Sequence, residues 1–164
     1  MPDACGQTEF GLKLIGEGLG RQRRNGLGGW LGFTLVTAAT AHIQCGNLGH
    51  VLELLTEAMA HAEKSSAKVL LPEVERLHAE VLLLTGQIDA GQAILRVETA
   101  AEHARQQGAL ALEWRATMAL ARLYPGVGRG DEARERLRRN YAAFTEGFTS
   151  PDLVDGMRLL QATS

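Results

Sequence analysis

Apolar residues recur three and four positions apart along almost the whole chain, and runs of strict alternation are lacking, so the pattern predicts helices throughout. Ala, Leu, Glu and Arg dominate the periodic segments, which adds favourable helix propensity. Breaks rich in Gly, Ser, Asn or Pro fall at Gly26 to Gly29, Gly46-Asn47, Ser65-Ser66, Gly86-Gln87, Gln107-Gly108, Pro125 to Gly130 and Gly147 to Pro151. Between them the spacing predicts helices near 7–24, 29–45, 48–64, 68–85, 88–107, 109–124, 130–146 and 151–162. The expectation is an all-α chain of about eight helices.

The breaks repeat. Gly46, Gly86 and Gly128 recur at about 40 residues, a spacing that marks a helical-repeat array. Five residues beyond these glycines stand Val51, Gly91 and Ala133, and nine beyond stand Leu55, Leu95 and Leu137. Seven residues before them are Ala39, Ala79 and Ala121, followed by His42, Leu82 and Tyr124. Small residues let paired helices approach closely, and the larger ones fill the space that remains. Antiparallel helix pairs over 29–65, 67–107 and 109–146 are therefore expected, with an N-terminal helix over 7–24, all within one domain spanning 1–164.

The spaced Ala, large apolar, Ala pattern resembles tetratricopeptide repeats, with Ala58 at the later alanine position of the first unit and Glu98 and Asn140 at the corresponding places in the next two. The resemblance implies a right-handed solenoid. Residues 100 to 160, with "ARQQGALALEWRATMALARL" and "FTEGFTSPDL" as the specific parts, are similar to the terminal helical-repeat region of large bacterial signalling proteins. In those proteins a nucleotide-cyclase or winged-helix domain and an ATPase domain precede the repeats. What the resemblance implies here is the repeat scaffold, with Trp114 standing where such repeats usually carry leucine.

Near the end of the chain, Tyr141, Phe144 and Phe148 are spaced to cover the last helix pair. Ser150 can cap a helix that begins with Pro151, and Asp152 suits the positive helix start. That final helix, 151–162, should use Leu159 and Leu160 to close the apolar edge of the last repeat.

Charge changes the picture mainly by exclusion. A net charge of −2 with a pI near 6.2 argues against a general nucleic-acid surface. Arg21 to Arg24 and Arg134 to Arg139 are basic clusters, the second interleaved with Glu135 and preceded by Glu132, as on a solvated helix face. Residues 25–52 contain no Asp, Glu, Lys or Arg, but Thr34, Thr37, Thr40, His42 and Gln44 interrupt the apolar run, so a helix buried on most sides is expected rather than a membrane span. Two cysteines, Cys5 and Cys45, fit ordinary thiols in a reducing, cytoplasmic setting, and the N-terminus lacks a signal-peptide pattern.

Catalytic patterns are weak. Gly16 to Gly20 and Gly26 to Gly29 have neither a preceding strand nor a Gly-Lys-Ser/Thr ending. The histidines at 42, 50, 61, 78 and 103 do not form a metal motif, so no metal or cofactor is expected. Counting back from the repeat glycines places Thr40, Arg76, Glu80, Arg115, Met118 and Arg122 on the concave face of the array, where arginines beside an apolar floor suit a peptide or carboxylate. The leading expectation is a non-enzymatic interaction module that binds a protein segment or a second copy of itself through an N-terminal apolar edge. The alternative is a sensor of a small molecule or peptide in the concave groove, and an enzyme of unrecognised type comes third.

Overall fold

The structure, a computed structural model, describes residues 4–25, 30–64 and 68–162, with side chains from residue 10 onward. The expected breaks at 26–29 and 65–66, and the Cys5 thiol, lie outside the described residues. Eight α-helices are present among the described residues: α1 (Ala4–Asn25), α2 (Leu31–Gln44), α3 (Val51–Lys64), α4 (Leu71–Leu84), α5 (Ala90–Gln106), α6 (Leu110–Leu123), α7 (Gly130–Tyr141) and α8 (Pro151–Ala162). Short 3₁₀ turns precede α4, at Lys68–Leu70, and follow α6, at Tyr124–Val127. The chain divides into two compact units, Met1–Val81 and Leu82–Ser164.

Each repeat glycine ends a helix in the same way. Gly46, Gly86 and Gly128 adopt left-handed φ values of 69°, 69° and 76°, where a side chain would be strained. In each, the glycine N–H and the one after it donate backwards, as in Gly46 N to Ile43 O and Asn47 N to His42 O, satisfying carbonyls that the helix end leaves open. Ala39, Ala79 and Ala121 are all buried, as the spacing predicted.

The helices after the glycines correct the predicted register. In α3 and α7 the buried rows are Val51, Leu55, Ala58 and Ala133, Leu137, Asn140, but in α5 the row is Ala93, Val97, Ala100 and Ala104. Leu95, expected to fill a gap, is 65% exposed, and Gly91 is exposed as well. Asp89 accepts a hydrogen bond from Gln92 N at 2.8 Å while Gln92 Oε1 accepts from Asp89 N, a capping box at the start of α5; the buried row of α5 stands two residues later from its glycine than those of α3 and α7. With that shift Ala100, rather than Glu98, takes the place of Ala58.

In the first unit α2 packs on α1 and α3, and Leu35, Val51, Leu55 and Val74 form a buried centre with Leu19, Leu77 and Val81. Gly32 lets α2 sit close to Leu70 and His61, whose atoms a Cβ would meet at 3.3 and 3.4 Å.

In the second unit α5 packs on α6, α6 on α7, and α8 on both α6 and α7. Trp114, Tyr124, Val97, Leu120 and Leu137 fill its core. Trp114 is 2% exposed, and its Nε1 donates to the Asp152 carbonyl at 3.0 Å. Tyr141 and Phe144 pack on the indole with centroids 5.9 Å away, and Phe148 stacks on Tyr141 at 5.7 Å. The tryptophan where leucine was expected is thus the seat for α8. Helix α7 ends at Tyr141, five residues short of the predicted end, because the chain turns there and Gly147, at φ 76°, brings Phe148 back over Tyr141. Helix α8 begins at Pro151 as predicted, with the Ser150 carbonyl accepting from Val154 N at 3.0 Å.

Candidate interaction surface

The six residues expected on a concave face fall in different settings. In the first unit the Thr40 hydroxyl donates to the Val36 carbonyl of its own helix at 2.9 Å. Arg76 is 11% exposed and donates Nε and Nη2 to Glu73 at 3.0 and 2.8 Å and Nη1 to Glu80 at 2.7 Å. Burial alone would lower its pKa, but the two carboxylates outweigh it and raise the pKa further. Arg76 and Glu80 therefore form an internal ion cluster with the buried Glu73.

In the second unit Arg115 Nε donates to Asp152 Oδ2 at 2.7 Å, tying α6 to the start of α8. Met118 is a correction, since it is buried at 6% exposure among core alanines and is not an open surface residue. Of the six, Arg122 is exposed.

A second polar network went unread. Tyr124, fully buried, donates its hydroxyl to Glu98 Oε1 at 2.6 Å and accepts from Arg136 Nη1 at 3.1 Å. The Arg129 guanidinium lies 4.1 Å from the ring centroid and bonds Glu98 at 3.0 Å and Glu132 at 2.7 Å. Burial, reinforced by the hydrogen bond to Glu98, pushes the Tyr124 hydroxyl up to about 12. The hydrogen bond from Arg129 lowers the Glu132 carboxyl. Arg136 of the predicted basic face of α7, with Arg129 just before that helix, thereby helps to hold α5, the 3₁₀ turn and α7 together. The signal for this was Tyr124 itself, a tyrosine at a buried position of the repeat, which needs a partner for its hydroxyl.

Exposed apolar groups gather on the first two helices. Trp30, just before α2, is 71% exposed and Phe33 42%, and their rings pack at 5.5 Å. Phe10 and Leu14 of α1 are exposed as well. Helix α2 buries Gly32, Leu35, Ala38 and Ala39, leaves Phe33, Thr37 and Gln44 exposed, and holds its other seven residues at intermediate exposure. Thr34, Thr37 and Thr40 each donate to a carbonyl one turn back, so their hydroxyls are bonded within the helix. The outer face of α2 consequently presents methyl groups and two aromatic rings.

No helix among the described residues is long and apolar enough to cross a membrane, and none of their His, Cys, Asp and Glu side chains gather in threes as a metal site would require. No protein-family model matches the chain, and no curated protein matches it.

Proposed function

We propose that the chain is a non-enzymatic interaction module of tetratricopeptide-like helix-pair repeats, a regulatory part or relative of a bacterial signalling protein, and that it pairs with a second copy of itself through the outer faces of α1 and α2. The observation that carries this reading is the exposed Trp30–Phe33 pair on a helix whose threonine hydroxyls are already bonded internally. Large aromatics left in water contribute most when a partner covers them, which is why tryptophan is enriched at binding hot spots. The shared buried rows of α3, α5 and α7 support the repeat architecture.

Light scattering after size exclusion, from micromolar concentration to high dilution, tests the pairing. A dimer that dissociates on dilution is expected, with Trp30→Ser/Phe33→Ser monomeric throughout. A wild-type chain that stays monomeric at every concentration would overturn self-pairing, and a double variant that dimerises as well as wild type would overturn the surface.

A further inference from the structure

Helix α1 is held to the first unit more thinly than its neighbours are. Among residues 10–25 only Leu19 is buried, with Ile15 partly covered, whereas α2 and α3 bury four residues each. Gaps lie on both sides of it. A cleft of about 380 Å³ runs between α1 and the α2–α3 pair, beside Ile15 and Leu19, and another of about 290 Å³ lies between Leu12 of α1 and Ala41 of α2. Unfilled space of this kind forfeits the dispersion contacts that close packing supplies.

The helix is also weak in itself. Glycine stands at positions 11, 16, 18 and 20, each with an ordinary φ, and a Cβ added at 11, 16 or 18 would meet nothing within 4 Å. Neither turn geometry nor close packing asks for glycine there. Each lowers the weight of the helix about fivefold relative to alanine, and together they lower it roughly several hundredfold. Gln22 adds to this, since its Oε1 is buried with no hydrogen-bond partner among the described residues, a state that undocking relieves by returning the oxygen to water. Against these stand Leu19 and the two-point bond of Arg23 to Glu57, whose side chains are 46% and 37% exposed. An ion pair that open to water holds little.

We propose that α1 is a releasable strap, which leaves α2 and α3 in one step while they stay folded, and that self-pairing requires it to be in place. The second part rests on pairing through α1 and α2, because Phe10 and Leu14 of that face ride on the strap. A second copy then holds the strap down, and release of the strap frees the copies.

The test is hydrogen exchange read by mass spectrometry on the full chain, once at a concentration where light scattering gives a monomer and again where it gives a dimer. In the dilute sample the amides of α1 should exchange roughly a hundredfold or more faster than those of α3, with intrinsic rates divided out. Gly11→Ala/Gly18→Ala should slow α1 by about twentyfold and leave α3 alone. Arg23→Gln, an exposed change that leaves packing intact, should speed α1 by about two- to fivefold, again without α3. In the concentrated sample the wild-type α1 should slow as the dimer forms, while α3 keeps its rate. Protection of α1 within about tenfold of α3 in the dilute sample overturns the strap, as does an α1 rate unmoved by the two alanines. A dimer whose α1 exchanges as fast as the monomer's overturns the dependence of pairing on the strap. A chain monomeric at every concentration removes pairing and that dependence with it, while the dilute measurement decides the strap by itself.

Discussion

Gly156 on α8 faces the indole of Trp114 so closely that a methyl group added there would overlap the ring, with Cη2 and Cε2 at 2.7 and 2.8 Å and Cζ2 closer still. Ordinary contact begins near 3.4 Å, so in Gly156→Ala either the ring or the helix must move. The ring has little room. It is 2% exposed, flanked by Tyr141 and Phe144, and held by its N–H bond to the Asp152 carbonyl. Overpacking of this kind costs about 1–3 kcal/mol, and losing the buried indole hydrogen bond adds about 1 kcal/mol or more. Alanine returns about 1 kcal/mol in helix propensity. The net expectation is a loss of about 1–3 kcal/mol, or local release of α8. Because the chain has two tryptophans, a Trp30→Phe background leaves Trp114 as the sole emitter. In that background Gly156→Ala should shift Trp114 emission to the red, raise its quenching by acrylamide, and lower the urea midpoint. Stability equal to or above the parent, with unchanged emission, would refute the docking of α8 on Trp114.

Other substitutions probe the remaining parts. Arg76→Met should lower stability by about 3 kcal/mol in urea unfolding, because it removes the guanidinium from beside the buried Glu73 carboxylate. Two Gly→Ala changes should differ in sign: Gly86→Ala, at φ 69°, should lose about 1–2 kcal/mol, while Gly16→Ala, in open helix, should gain about 1 kcal/mol, both by thermal melting. The Tyr124 hydroxyl is raised from 10 to about 12, so folding favours its neutral form. That contribution, about 2–3 kcal/mol, is complete below pH 10 and is lost as pH rises through about 12. The wild-type chain should therefore lose more stability between pH 10 and 12 than Tyr124→Phe does, a difference measurable from urea midpoints.

The helices were legible because period and breaks agreed, and the final helix was legible because Ser150-Pro151-Asp152 follows an aromatic cluster. The register of α5 was not, because its buried row stands two residues later from the glycine than those of α3 and α7, an offset that a count from the glycines does not contain. Counting from glycines also located Arg76 and Arg115 without saying what they face. Arg76 meets carboxylates three residues before and four after it, a local pattern readable in "EVERLHAE", whereas Arg115 meets Asp152 across 37 positions, which no local pattern encodes. The uncharged stretch before α3 was read as buried because charge was missing. Yet absence of charge on a helix is equally compatible with a partly open apolar face, and Trp30 and Phe33 are exposed here.

The most direct measurement of that partner is photo-crosslinking in living cells from a benzoylphenylalanine placed at position 33, with exposed Gln106 of α5 as the comparison site. Pairing through α2 predicts a product at twice the chain mass, formed from position 33, absent from 106, and lost when Trp30→Ser is added. Failure of position 33 to capture a second copy, or equal capture from 106, would contradict it.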